Sequence, residues 1–130
     1  MKRLLLDTHV LLWWLASDRR LGASTRRLIE TSTCSVSVVS LAEIAMKSAS
    51  GKLRLPAQAL DERLESTGIA ILALSLAHVQ AAARLMGRHA DPFDCLLVGS
   101  ALSEKMLLAT RDQPLLEHAA PILGNLLIEA

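Results

Sequence analysis

Residues 3–9 read RLLLDTH, three consecutive leucines that stop at a carboxylate. A short run that is apolar at every position is typical of a strand buried on both faces, as the central strands of parallel sheets are. Asp7 therefore follows a strand that we expect near the centre of the molecule. Ligands bind such folds at the carboxyl ends of the strands. The stretch thus predicts a parallel sheet and the edge at which its chemistry lies.

The rest of the chain alternates between helical and strand-like patterns. Apolar spacings of three and four residues predict a helix over 8–17, and a second helix is expected over 23–31. Alternating β-branched residues predict a strand over 35–39, followed by a helix over 40–50. After these, a helix is predicted from Pro56 to near Gly68, then a strand over 69–74 and a helix over 76–86. The last part of the chain predicts a helix after Asp91, a strand over 107–110 and a possible fifth strand over 122–128.

This order of elements predicts a three-layer α/β/α sandwich around a central, mostly parallel sheet of four to five strands. The chain has 130 residues, of which 52% are hydrophobic, so we expect residues 1–130 to form one compact domain. The only cysteines, Cys34 and Cys95, are too few for a disulfide framework and lie in apolar segments. We expect both to be reduced core residues.

The N-terminal leucines raise the question of targeting. Asp7 and His9 interrupt the apolar run too early for a secretory signal. The longest clean apolar run, over 10–16, is too short to span a membrane. We therefore expect a soluble, cytoplasmic protein with no membrane partner.

Four acids occupy similar places in this predicted arrangement. Asp7 and Asp112 follow strands, whereas Glu43 and Asp94 lie in the first turns of helices. Strand ends and the starts of the following helices share one edge of a parallel sheet, so the four carboxylates should converge. Asp7 is the hardest to explain structurally, because Thr8 can cap the helix that follows.

The other three acids each have a structural interpretation. Residues 40–43, SLAE, match a capping box in which Glu43 bonds back to the start of its helix. Asp94, at the third position of its helix, favours the helix dipole, and Asp112 can cap the turn after it. Taken singly, these three acids are as consistent with capping as with chemistry.

Taken together, the four acids predict a cation site. Two carboxylates about 4 Å apart repel by roughly 4 kcal/mol at an effective dielectric constant near 20, so an acidic cluster needs protons or a cation. Carboxylates without a His or Cys pair suit Mg²⁺ or Mn²⁺ better than zinc. Such an ion can activate water and neutralise charge on a phosphodiester. The predicted chemistry is metal-assisted phosphoester cleavage.

Four short segments carry a resemblance to a known family: 4–9 (LLLDTH), 40–44 (SLAEI), 91–94 (DPFD) and 108–112 (LATRD). In this order and spacing they resemble the PIN-domain nucleases, and among these they are most similar to the VapC-type toxins of bacterial toxin-antitoxin modules. The resemblance covers nearly the whole chain. It implies a Mg²⁺- or Mn²⁺-dependent endoribonuclease, usually a homodimer, that a cognate antitoxin holds inactive.

The resemblance also implies roles for particular residues. The metal-binding and catalytic acids would be Asp7, Glu43, Asp94 and Asp112. Thr110 would be a polar support beside them, and Asp91 would be a helix cap or an outer ligand, with the cap favoured. Many relatives have Arg after the second Asp of the DPFD segment, where this chain has Cys95. A phosphate contact from that Arg is therefore not expected.

The charge pattern bears on RNA binding. The net charge is only +1, but residues 19–54 carry seven basic side chains against two acids. Solvated helix faces also explain such a run. The predicted phosphate contacts are Lys47, Arg19, Arg20 and Arg111, with Lys47 one turn from Glu43 on the same helix face. Aromatic stacking is poorly supplied, since Phe93 and two tryptophans are the only Phe, Trp or Tyr residues.

The tryptophans and histidines leave alternatives open. We expect one of Trp13 and Trp14 to face the core and the other to anchor a dimer or an antitoxin segment, although both could be buried. The four histidines have no ligand spacing; His9 could approach the site, but packed or partly exposed histidines are the favoured interpretation.

Two other functions remain open beside the ribonuclease. The first is a catalytically silent binding partner of an antitoxin, which would bind no divalent metal. The second, less favoured, is a metal-dependent phosphatase, which an assay with a small phosphomonoester would reveal.

Overall fold

A computed structural model describes residues 1–53 and 57–130. These residues form five strands and seven α-helices. In chain order they are β1 (Arg3–Leu6), α1 (Thr8–Leu15), α2 (Ala23–Glu30), β2 (Thr33–Ser37), α3 (Val38–Ala49), α4 (Ala57–Thr67), β3 (Ala70–Leu72), α5 (Leu76–Ala82), α6 (Pro92–Glu104), β4 (Leu107–Thr110), α7 (Gln113–Leu123) and β5 (Leu127–Glu129). The start predicted at Pro56 lies outside the described residues.

The five strands form one sheet in the order β3-β2-β1-β4-β5, and every neighbouring pair is parallel. The leucine strand β1 is central, because Leu5 lies opposite Ser35 of β2 on one side and Leu108 of β4 on the other. The predicted central parallel sheet is confirmed, and its edge at the end of β1 is the edge that Asp7 occupies.

The side chains of β1 alternate between two hydrophobic cores. Leu4 and Leu6 belong to one core, Leu5 belongs to the other, and all three are fully buried. Helices α1 to α4 contribute to the first core and α5 to α7 to the second, so the sheet lies between two helical layers. Burial of each of these leucine side chains stabilises the folded state by about 1.5–3 kcal/mol. The position of the sheet between the two helical layers confirms the three-layer α/β/α sandwich.

Helix α3 begins two residues earlier than predicted. The β-branched Val38 and Val39 favour a strand by propensity, but Ser37 ends β2 and its hydroxyl accepts the Val39 amide at 3.0 Å. The expected strand over 35–39 is therefore confirmed over 35–37, whereas its end at residue 39 and the helix start at Ser40 are wrong. The shift moves Glu43 from the first turn of the helix to its second.

Several other predicted boundaries also differ. Strand β3 is shorter than expected, and α5 ends at Ala82 instead of residue 86. Helix α7 occupies part of the expected fifth strand, which is limited to β5 after a short 3₁₀ turn. Both cysteines are free and buried, as predicted. Along the described residues, no helix is both long and apolar enough to cross a membrane.

Candidate active site

The four predicted acids share one small cavity of about 70 Å³ at the carboxyl edge of the sheet. They reach it from four separate elements, at the end of β1, on α3, in the first turn of α6 and at the start of α7. The described lining consists of Asp7, Thr8, His9, Glu43, Lys47, Asp91, Asp94 and Asp112. The structure thus places five carboxylates around a space only large enough for a few water-sized groups.

Asp7 is both the cap of α1 and a wall of the acidic cavity. Its Oδ1 accepts the Val10 amide at 3.1 Å, and its Oδ2 accepts the Thr110 hydroxyl at 2.5 Å. Burial raises the pKa of Asp7, and these two hydrogen bonds oppose the shift. The expectation that Thr8 caps this helix is wrong, because the hydroxyl of Thr8 points to Glu43 instead.

Glu43 is held by α1 and by its own helix, with no capping role. Its Oε1 accepts the Thr8 hydroxyl at 2.7 Å, and its Oε2 lies 2.9 Å from the Lys47 ammonium one turn away. The capping box predicted over 40–43 is wrong, since α3 starts at Val38 and the buried Ser40 hydroxyl has no partner in the described part of the chain. Glu43 is therefore directed into the cavity, and the predicted proximity of Lys47 is confirmed.

The start of α6 presents two aspartates with different duties. Asp91 caps the helix, accepting the amides of Phe93 at 2.9 Å and Asp94 at 3.4 Å, which confirms the favoured interpretation. Asp94 faces the cavity, where its Oδ2 accepts from His89 Nε2 at 2.8 Å. The other nitrogen of His89 lies 2.8 Å from Nδ1 of His118, on α7.

Asp94 is a second carboxylate, after Asp7, whose ionisation the site disfavours. Burial raises its pKa to about 6, and the negative charges of Asp91 and Asp112 act in the same direction. The hydrogen bond from His89 opposes these effects. Cys95 is buried and donates to the His89 carbonyl, so it adds no positive charge here. The site can therefore accept a proton or a cation at Asp94.

Thr110 links the two acids that follow strands. Its hydroxyl donates to Asp7 and accepts the Asp112 amide at 3.2 Å, which is the supporting position predicted for it. Asp112 also caps α7 by accepting the Leu115 amide at 3.0 Å. Ligand atoms of His89, Asp94 and Asp112 all lie within 4.8 Å of one another. Both ring nitrogens of His89 are already hydrogen-bonded, so an ion at this place would contact the carboxylates of Asp94 and Asp112.

Sequence reasoning missed His89, His118 and the contact of Thr8 with Glu43. His89 lies two residues before the DPFD segment, in the chain entering α6, which was the available signal. His118 carried no comparable signal, because its partner is 29 residues away. The histidine pair becomes visible only when α7 packs beside α6.

A larger groove of about 470 Å³ adjoins the acidic cavity and shares Glu43, Lys47 and Asp91 with it. Its remaining described lining is Met46, Ser50, Lys52, Pro92 and Phe93. Of the predicted phosphate contacts, Lys47 lies in this groove, whereas Arg19 is exposed in the loop between α1 and α2. Arg20 forms an ion pair of 2.7 Å with Asp18 in the same loop.

Comparison with known proteins identifies the family. A family model of the PIN domain matches residues 4–120. The chain belongs to the PIN domain family. This PIN domain is 29% identical over 128 residues to Ribonuclease VapC22 of Mycobacterium tuberculosis (strain ATCC 25618 / H37Rv), covering 93% of this chain and 95% of that protein.

Solved structures share the fold of this PIN domain. The crystal structure of VapBC2 from Rickettsia felis bound to a promoter DNA fragment has a TM-score of 0.69 and 20% sequence identity. The match covers 98% of this chain and 97% of that one. DNA-bound VapBC from Salmonella typhimurium has a TM-score of 0.67 and 16% identity over 99% and 98% of the two chains. The predicted resemblance to VapC-type PIN proteins is confirmed.

Proposed function

We propose that this PIN domain is a divalent-metal-dependent endoribonuclease and the toxin of a toxin-antitoxin pair. The observation that carries the proposal is the arrival of Asp7, Glu43, Asp94 and Asp112 at one cavity from four different elements. Capping accounts for Asp7 and Asp112 only in part, and it does not account for Glu43. The name of the related Ribonuclease VapC22 supports the same assignment.

The donor set fits a hard divalent cation. Five carboxylates line the cavity, and Lys47 is the one Lys or Arg among the described lining residues. Oxygen ligands of this kind suit Mg²⁺ or Mn²⁺, and carboxylate oxygens that already accept one hydrogen bond have lone pairs left for a metal. Asp7, Asp94 and Asp112 would hold the ion, with Glu43 beside them. When bound, the ion supplies a Lewis acid that neutralises negative charge developing on the phosphodiester.

The protein's own residues orient the carboxylates and the substrate. Thr110 fixes Asp7, His89 fixes Asp94, and Thr8 fixes Glu43, so the acids need little rearrangement when they act. Lys47 lines both the acidic cavity and the groove. A phosphate in the groove would therefore meet the Lys47 ammonium directly beside the acids.

The partners of this chain follow by analogy with its structural neighbours. Two of these neighbours are VapBC complexes bound to DNA, and a third is described as a toxin-antitoxin complex from Klebsiella pneumoniae. We infer a cognate antitoxin that blocks access to the acids, a homodimeric assembly and a cytoplasmic site of action, all as in the VapC-type resemblance.

RNA cleavage with an isosteric variant tests the proposal. The wild-type protein should cleave RNA in Mg²⁺ or Mn²⁺ and lose this activity in EDTA. Asp7→Asn should lose at least 100-fold, because Asn keeps the cap of α1 but removes the charge that a metal requires. Asp61→Asn, which changes an exposed aspartate on α4, is the matched control and should cleave as the wild type does.

Metal titration calorimetry separates the proposal from a silent binding partner. Mg²⁺ or Mn²⁺ should bind the wild type and Asp61→Asn, and more weakly Asp7→Asn. Full cleavage by Asp7→Asn, or no metal binding at millimolar concentration, would contradict the proposal. Hydrolysis of a small phosphomonoester without RNA cleavage would indicate a phosphatase instead.

A further inference from the structure

A second cavity, of about 210 Å³, opens beside the acids. It shares His9 and Asp112 with the acidic cavity, and Trp13 and Arg111 complete its described lining. We call these four residues the Trp13 pocket. A substrate whose phosphodiester lies at the acids would therefore place an adjacent chemical group in this pocket.

Helix α1 brings the two rings of the pocket together. His9 and Trp13 are four residues apart, so they lie on the same face of α1, with ring centroids 6.1 Å apart and planes inclined at 46°. Trp14 is directed elsewhere and lines a separate cavity with Ile29 and Cys34. Both tryptophans are half-buried and pack against the same core, which agrees better with the alternative that both are core residues than with one core and one interface tryptophan.

Two guanidinium groups lie over the indole of Trp13. The guanidinium carbons of Arg20 and Arg111 are 5.2 and 5.8 Å from the Trp13 ring centroid. The Arg111 guanidinium also donates to the Arg20 carbonyl, which joins the loop before α7 to the loop after α1. Guanidinium planes stack on aromatic rings and bind phosphate oxygens in pairs. Planar groups and positive charge are thus concentrated at one side of the acids.

We infer that the Trp13 pocket is a nucleobase subsite, which receives an unpaired base next to the phosphodiester held at the acids. This inference rests on the proposed function, since it assumes an RNA substrate. A base is favoured over a phosphate inside the pocket because the rings of Trp13 and His9 form half of its described lining and can stack on any base. The guanidinium groups of Arg20 and Arg111 beside Trp13 suit the neighbouring phosphates. The base must be unpaired, because a base within a duplex does not expose its face.

The rigidity of Trp13 favours this role. Its ring packs against the core that contains Leu4 and Leu6, so stacking a base on it immobilises no mobile side chain. Arg111 is exposed and can pair with a phosphate beside the base, and the exposed Arg20 can do so when it exchanges its surface ion pair with Asp18 for a phosphate. Aromatic side chains are few in this chain, but Trp13 is one that lies beside the acids.

Tryptophan fluorescence tests the subsite directly. The chain has two tryptophans, so Trp14→Phe leaves Trp13 as the only one. The test uses Trp14→Phe in an Asp7→Asn background with Mg²⁺, which keeps the RNA intact. Single-stranded decamers of A, C or U should quench Trp13, whereas an abasic ribose-phosphate decamer should bind without quenching.

Binding affinities provide a second, independent measurement. By fluorescence anisotropy of a labelled decamer in the Asp7→Asn background, Trp13→Leu should bind about 5- to 150-fold more weakly, the range for loss of one stacked base. Trp13→Phe should restore part of the affinity, and Trp14→Leu is the matched control that should bind normally. Thermal midpoints of all variants show whether they fold; if Trp13→Leu does not, the quenching experiment decides alone.

The possible failures are distinguishable. Decamer binding without quenching of Trp13, equal quenching by the abasic decamer, or unchanged affinity in folded Trp13→Leu would overturn the subsite and leave this pocket as a surface for a protein partner. If no decamer binds any variant, and the wild type cleaves no RNA, the proposed function itself fails and the subsite fails with it.

Discussion

At the scale of single residues, Asp94 couples the stability of the fold to pH and to metal. Burial raises its pKa from 3.8 to about 6. Because the folded-state value is the higher one, its stabilising contribution is fully present below pH 3.8 and is lost as the pH rises through about 6. Asp7 changes the stability with pH in the same direction, because burial also raises its pKa.

In EDTA, the thermal midpoint should therefore decrease as the pH rises from 3.8 through about 6, and Asp94→Asn should reduce this decrease. Part of the decrease should remain in Asp94→Asn, because the raised pKa of Asp7 also contributes to it. Adding Mg²⁺ at the higher pH should raise the midpoint of the wild type, because the ion binds the native state. Melting curves by circular dichroism give these values. Equal pH dependence in wild type and Asp94→Asn would contradict the assigned cause.

His118 should influence metal binding without contacting the metal. Its bond to His89 orients the imidazole that bonds to Asp94, and loss of such supporting partners typically weakens metal affinity about 10- to 100-fold. His118→Phe keeps a ring of similar shape but removes the nitrogen. Calorimetric titration with Mn²⁺ should show this loss, whereas Glu117→Gln, an exposed neighbour on α7, should bind normally. Unchanged affinity in His118→Phe would show that His89 needs no partner.

At the scale of elements, the close approach of α5 and α6 depends on Gly99. A Cβ placed there would lie 2.3 Å from the His78 carbonyl oxygen and 2.5 Å from the Ala82 nitrogen, both backbone atoms that cannot rotate away. Gly99→Ala should therefore cost about 1–3 kcal/mol of unfolding free energy. Its thermal midpoint should fall by roughly 4 °C per kcal/mol.

Gly22→Ala is the matched control for this prediction. Gly22 has a negative φ of −68°, and nothing lies within 4 Å of a Cβ built on it. Its melting temperature should change little. A Gly99→Ala protein as stable as this control would mean that α5 moves away from α6 at little cost.

The sequence predicts the elements well where local pattern and tertiary role agree. Residues 4–6 of β1 are all leucine, and both faces of the strand are covered. This unbroken apolar run alone indicates a central strand. The start of α3 was not predictable in this way, because Val38 and Val39 have strand propensity and the Ser37 cap overrides it. With the helix start placed at Ser40, Glu43 has the position of a capping residue. With the observed start at Val38, Glu43 has no helix end to cap, which favours a role in the site.

The contacts that complete the candidate site join distant parts of the chain and cannot be predicted from the local sequence. The four acids could be predicted, since strand ends and helix starts meet at one sheet edge. The bond between His89 and His118 and the guanidinium of Arg111 over Trp13 join residues far apart in sequence. No local period or spacing encodes such pairs.

At the scale of the whole molecule, charge is nearly balanced, with 14 basic and 13 acidic side chains. A long-range field therefore contributes little to RNA binding, and local cations must supply the attraction. They flank the acids on two sides, with Lys47 and Lys52 in the groove and Arg20 and Arg111 at the Trp13 pocket. A single strand could then cross the acids while its phosphates meet cations before and after the reacting bond.

This arrangement predicts a modest salt dependence that individual lysines control. Each phosphate contact with a single strand contributes about −0.7 to the slope of log K against log salt concentration, so one contact from each of the four flanking cations gives roughly −3. Lys47→Gln in the Asp7→Asn background should make the slope less steep by about 0.7, because it removes one contact beside the acids. Lys2→Gln changes an exposed lysine before β1, at the opposite edge of the sheet, and should leave the slope unchanged. Anisotropy titrations at several salt concentrations measure both slopes, and equal slopes for the two variants would place the RNA backbone away from the groove.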